Sequence, residues 1–407
     1  TGSTAENSGS ITTTGDGAYG MFADNGSSVA NAVSGDILTS GAGSHGMVAS
    51  DDSMAVNWGS VATTGAGSFG MVATASSDVT NNGLVTTTGS GSYGMLGENG
   101  SSAENAVSGD ILTSGSGAWG MVATGAGSSV ENGGTVTTTG AGSVGMAAAF
   151  GATATNTANG TITTSGAGSQ GMAAVSGSTA SNSGTITTSG TGAEGMVAGE
   201  GATIVNNVSG DISTSGEGSH GMAARWNSTA TNYGDITTSG AGAYGMLADT
   251  NSEIFNVGAD SIVTTGDGAH GMVAVNVSSA DNSGSITTNG VNAFGMLAET
   301  DSFATNSATI VTNGMGSHGM VASDDSVATN SGSITTNNFN SDGMLATDQS
   351  SVTNSGSIIT NNVGSWGMSA EDNSTALNTA TGTITVYGNW SRGGMQAMDH
   401  SFAENDG

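Results

Sequence analysis

The sequence contains no cysteine, no proline and no lysine, and its only basic residues apart from histidine are Arg225 and Arg392. Without cysteine there is neither a disulfide framework nor thiol chemistry, so stability has to come from burial and backbone hydrogen bonds. The 32 acidic residues set the formal net charge at −30 at pH 7. Nucleic acid is thereby excluded as a partner, because like charge repels the phosphates and almost no cations are present to displace counterions. Anionic membrane surfaces are disfavoured for the same reason. Aromatic residues make up 4% of the chain, far from the composition of an ordinary globular enzyme. No run approaches the roughly 20 apolar residues of a membrane span, so this segment is not expected to insert into a bilayer. The start at Thr1, with no signal peptide, reads as processed or excised.

What is abundant is glycine, 71 residues of it, together with Ser, Thr, Ala and Asn. Such a bias often accompanies disorder, yet 35% of the chain is hydrophobic and recurs in a phase that a linker would not keep. A Gly-Met pair anchors the repeat, at Met21, Met47, Met71, Met95, Met121, Met146, Met172 and Met196, then at Met222, Met246, Met272, Met296, Met320, Met344, Met368 and Met395. Its step of 24 to 27 residues is a solenoid period. An Ile or Val stands ten residues before each early Met (Ile11, Ile37, Val61, Val85), and an Asn ten residues after (Asn31, Asn57, Asn81, Asn105). Length varies almost entirely between the Asn and the next Ile, as in Asn7 to Ile11 against Asn31 to Ile37, so that segment is a tolerant loop.

Three short strands per coil follow, each bounded by Gly, Asn or Ser. The predicted fold is all-β, a single-stranded right-handed parallel β-helix (β-solenoid) of about 16 coils, forming one continuous repeat domain over residues 1–407. At about 4.8 Å per coil it would be a rod on the order of 75 Å long. Period-two alternation turns Met21, Met47, Met71 and Met95 inward with the Ala two residues on, and methionine's unbranched chain suits a narrow core. Asn31, Asn57, Asn81 and Asn105 are expected inside as a polar corner ladder, and Thr13, Thr39, Thr63, Thr87 and Thr113 as a buried hydroxyl ladder.

Segments such as Asn182-Ser183-Gly184-Thr185-Ile186 and Asn330-Ser331-Gly332-Ser333-Ile334 resemble the passenger repeats of bacterial autotransporters and related surface-exposed β-helix proteins. That resemblance spans the whole chain, concerns architecture, and carries no catalytic residues. It implies an extracellular location on the bacterial cell surface and an adhesive or structural role, as the shaft of an adhesin or the subunit of a filament, with a host or cell-surface glycan or protein as partner.

Candidate chemistry concentrates in two columns. The residue two before each Met is variable: Tyr19, His45, Phe69, Tyr93 and Trp119 form an aromatic stripe, while Glu194 and Asp342 in the same column argue for an outer edge. Exposed rings at coil spacing would bind sugars or another chain, or else stack to stiffen the edge. His220 and His270 lie two coils apart, roughly 10 Å, too far to share a metal with bonds near 2 Å. Carboxylates gather after the Met strand at Asp324, Asp325, Asp348, Glu371 and Asp372, either as solvated charge or as oxygen ligands for calcium. No other cofactor is expected.

Two alternatives belong to other functional classes. A carbohydrate-active β-helix lyase would need an Arg or Lys base in a basic cleft, and the two arginines stand seven coils apart; a glycosidase would need two carboxylates in a walled groove. An ice-binding surface would use outward Thr pairs such as Thr12 with Thr14, but Leu38, Ala62, Leu112 and Val263 interrupt that column, and Asn289 and Asn313 replace its partner. Finally, neither end reads as a capping coil, which leads to the expectation of a longer chain or of copies associating head to tail.

Overall fold

The computed structural model describes residues 2–258, 261–361, 363–388 and 392–406. Thr1 and Gly407, the ends of the domain as read from the sequence, lie outside the described residues. All regular structure among the described residues is β-strand, in pieces of three to six residues. Each coil supplies three pieces: an asparagine strand such as Ser28–Asn31, an isoleucine strand such as Asp36–Thr39, and a methionine strand such as His45–Ala49. Within each unit the strands pair in parallel and without slip with their counterparts one coil on, so that Asn31 lies against Asn57, Ile37 against Val61 and Met47 against Met71. The result is three parallel sheets in about 16 coils, the predicted β-solenoid.

The chain divides into two compact units, Thr1–Asp211 and Ile212–Gly407. The same construction holds in each. In the second unit Met222, Met246 and Met272 follow one another in register, as do Asn232 with Asn256 and Ile236 with Ile262.

Strand alternation decides what fills the interior. Met47, Met71 and Met95 are fully buried beside Val61, Ala49 and Ala73, and Met21 is 8% exposed. Burying one such side chain is worth about 1.5–3 kcal/mol. Asn31, Asn57, Asn81 and Asn105 are likewise fully buried. Each Nδ2 donates to the Oδ1 of the asparagine one coil on at 2.8–2.9 Å. It donates also to a carbonyl of the turn that follows, Gly35 for Asn31 and Gly59 for Asn57. The captured carbonyl lies four residues on in the longer turn and two on in the shorter one. This explains the tolerant loop: an insertion of two residues leaves the amide's partner in place.

The threonine column departs from expectation. Thr39, Thr63, Thr87 and Thr113 are buried, but their hydroxyls make no ladder from coil to coil. Thr39 and Thr113 donate to the carbonyls of Ser44 and Ala118 in their own coils at 3.4 Å. In the second unit Thr238, Thr288 and Thr312 do the same at 2.6 Å. The Oγ1 atoms of Thr13, Thr63 and Thr87 have no partner. The reason is reach. Strands repeat at about 4.8 Å, a gap that one hydroxyl oxygen cannot close at a bonding distance of about 2.8 Å, whereas an amide presents its donor and acceptor on opposite sides.

Candidate functional site

The variable column begins with its neighbour, the glycine preceding each Met. A Cβ on Gly46 would collide with the Val61 side chain and stand 2.6 Å from the Gly70 carbonyl oxygen, so the backbone can pass this close to the next coil only without a side chain. The residue before that glycine then lies along the outside of the methionine strand. In the first unit Tyr19, His45, Phe69, Tyr93 and Trp119 stack in sequence, with ring centroids 5.7, 4.8, 4.7 and 5.4 Å apart. In the second unit His220, Tyr244, His270, Phe294 and His318 repeat the arrangement at 4.6–5.2 Å.

The placement of this column differs from the exposed edge that its acids suggested. Tyr19 is 46% exposed, but Val144, Glu194 and Asp342 are buried. Phe69, Tyr93 and Trp119 are half-buried and cover Val48, Val72, Leu96 and Val122, which face outward on the methionine strands and are nonetheless out of water. The column is thus a roof over a second, outer apolar layer. A carboxylate is accommodated because it finds a donor: the Trp366 backbone N–H donates to Asp342 Oδ1 at 2.7 Å.

Histidine earns its place here by a bond invisible in the sequence. Backbone N–H groups of Phe69, Tyr244, Phe294 and Asp342 donate to the Nδ1 atoms of His45, His220, His270 and His318, each one coil earlier, at 2.8–3.1 Å. An accepting Nδ1 is unprotonated, which fixes the neutral ring with its proton on Nε2. Burial adds to this by pushing the His45 pKa down and those of His270 and His318 to about 4. Burial acts oppositely on Asp342, raising it to about 6, against the lowering effect of the Trp366 N–H. His318 Nδ1 stands 3.9 Å from Asp342 Oδ2.

The acidic corner has a backbone explanation. Two successive residues adopt left-handed φ there in nearly every coil, among them Asp324 and Asp325, Asp348 and Gln349, Asp372 and Asn373. Asp and Asn tolerate that region better than other side-chain-bearing residues. The candidate calcium ligands do not converge. Asp324 accepts from the Thr300 hydroxyl, Asp348 from Ser323 and Thr347, and Glu371 from Ser369. Asp325 and Asp372 lie exposed on the same corner. Among the described residues no three His, Cys, Asp or Glu side chains are grouped to hold a metal ion.

Serine columns escaped the sequence reading in part. Backbone N–H groups of Ser44 and Ser68 donate to the Oγ of Ser68 and Ser92 at 3.1 Å, and Ser53 and Ser77 bond likewise to Ser77 and Ser101. The available signal was the position three before Met, held by Ser or Ala in every coil except that of Met395, where it is Arg392.

The coil geometry agrees with what is found among known proteins. Residues 1–109 and 235–407, more than half of the chain, match the family described as the BigA third pectate lyase-like domain. The chain belongs to this family. A chain in the cryo-EM structure of the Vag8–C1 inhibitor complex has a similar fold, with a TM-score of 0.59 and 17% identity over 99% of each chain. Comparison with curated proteins gives no match. The pectate lyase-like family and the shared fold agree with the β-helix architecture that its Asn-x-Gly-x-Ile repeats indicate. Of the two arginines, Arg225 ends the methionine strand Met222–Arg225 and lies beside Asp249 of the next coil.

Proposed function

We propose that the chain is a secreted, surface-displayed β-solenoid with a structural and adhesive role and no catalytic one. The observation that carries this reading is the unbroken asparagine ladder within each unit, from Asn7 to Asn206 in the first and from Asn232 to Asn405 in the second. Together with the serine columns and stacked rings, it commits the buried asparagines, many serines and the ring column to neighbouring coils. Such side chains build a scaffold, and recognition then falls to the outer faces. A protein or glycan on another surface is the partner proposed. The similar fold found in the Vag8–C1 inhibitor complex supports a protein as one such partner.

The experiment has two readouts. Beads coated with the purified chain should adhere to cell monolayers, and electron micrographs should separate an adhesin, seen as isolated particles, from a filament subunit, seen as continuous fibres. Absence of both adhesion and fibres, with release of unsaturated products from polygalacturonate, would overturn the reading in favour of a lyase.

A further inference from the structure

We propose that the second unit carries a groove for one pyranose ring of a neutral glycan, set between Glu253 and Phe303 with Ser279 as its floor. This deepens the adhesive reading and rests on it for its biological purpose. The three residues occupy one outward row, Glu253 beside Ser279 and Ser279 beside Phe303. Because Ser279 is small, the row is notched. Two strand spacings separate the walls by about 10 Å at the backbone, which leaves room for one sugar ring between an aromatic face and a carboxylate. The groove has a volume of about 380 Å³ and is bordered on the corner side by Asn227, Asn251 and Val277.

The chemistry of its walls is that of a sugar site, an apolar face with a few convergent polar groups. Phe303 is 54% exposed, a large ring left in water at the groove's edge and suited to the C–H face of a pyranose. Glu253 accepts hydrogen bonds from hydroxyls. Asn251 Nδ2 donates to Asn227 Oδ1, which leaves the Asn227 amide as donor and the Asn251 carbonyl as acceptor for the ligand. A carboxylate in the groove and a chain of net charge −30 select against an anionic sugar.

In the first unit the second left-handed residue of this corner is glycine at Gly26, Gly100, Gly151, Gly177 and Gly201, and Asp52 or Ser76 in two other coils. At the groove it is Asn227, Asn251 and Val277, with φ of 58–64°. A branched valine in that region is a true outlier.

The test is titration of the full chain with lactose, cellobiose, maltose and chitobiose, followed by saturation-transfer NMR, with digalacturonate as the anionic comparison. Expected are millimolar binding of at least one neutral disaccharide, at least tenfold weakening by Phe303→Ala, and loss of binding in Ser279→Phe, which fills the notch. Both variants change outward side chains and should keep the parent far-UV circular dichroism. Failure of all four neutral sugars to bind at 20 mM, equal binding by Ser279→Phe, or tighter binding of digalacturonate would each overturn the proposal. Sugar binding and cell adhesion are measured separately. Binding through the groove without adhesion sinks the adhesive reading and upholds the groove; adhesion without sugar binding does the reverse.

Discussion

At the scale of single residues, the decisive property is whether a side chain reaches across one coil spacing. Asn182 accepts from Asn156 and from the Gly184 N–H, and donates to Asn206 and the Gly184 carbonyl. Asn182→Ala leaves these buried groups unpaired and should cost about 1–3 kcal/mol, read from denaturant melts. Asn182→Asp should cost more, since it keeps the acceptor, loses the donor and buries a charge. The histidines make stability depend on acid. His270 and His318 have folded pKa values of about 4, below the ordinary 6.5, so the unfolded chain takes up protons first as pH falls. Their contribution is complete above pH 6.5, is lost between 6.5 and 4, and is constant below; each loss is about 3 kcal/mol. Asp342, raised to about 6, takes up its proton first in the folded chain and returns about 3 kcal/mol between pH 6 and its ordinary value near 4. Two histidines against one aspartate predict a net loss of about 3–4 kcal/mol on acidification from 6.5 to 4. Melts of His270→Gln with His318→Gln should show that loss removed.

At the scale of the coil, the Gly-Met corner sets how closely coils approach. Gly46→Ala drives a Cβ toward the Gly70 carbonyl and the Val61 side chain, and overpacking of this order costs about 1–3 kcal/mol. Gly9→Ala is the control, since a Cβ there meets open space, and its melt should stay within about 0.5 kcal/mol of the parent. The ring column is a second element-level device. Tyr93→Ala strips part of the cover from Val72, Leu96 and Val122 and should lower stability by about 1–3 kcal/mol. Here the sequence was informative to different degrees. The tolerant turn was legible because Asn and Ile hold their distances from Met while only the stretch between them changes. The roof over the outer apolar layer was not, because Asp342 looks exposed until the backbone donor that faces it, the Trp366 N–H, is known.

For the whole molecule, charge is the property that composition settles. With a net charge of −30 and two arginines, the purified chain should pass through heparin and DNA columns without retention even at 50 mM salt, where counterion release most favours binding. Retention would place a concentrated basic surface on the chain that its composition does not contain. Incubated with polygalacturonate it should release no unsaturated uronide, and the absorbance of that product checks this directly.

The sequence by itself determined the β-solenoid, its period and its inward methionine and asparagine columns, because these depend on local alternation and on a repeat that any window of the chain displays. Tertiary structure alone decided the rest, through groups that are distant in sequence or brought together by the turn of a coil. It decided that a threonine hydroxyl bonds within its own coil while an asparagine amide bridges to the next. It decided that histidine Nδ1 atoms receive backbone N–H groups, that the carboxylates of the acidic corner stand apart, and that Ser279 forms a notch between Glu253 and Phe303. A row of letters gives the spacing of such residues along the chain, but only the stacked coils bring donor to acceptor and leave a gap where a small side chain lies between two larger ones.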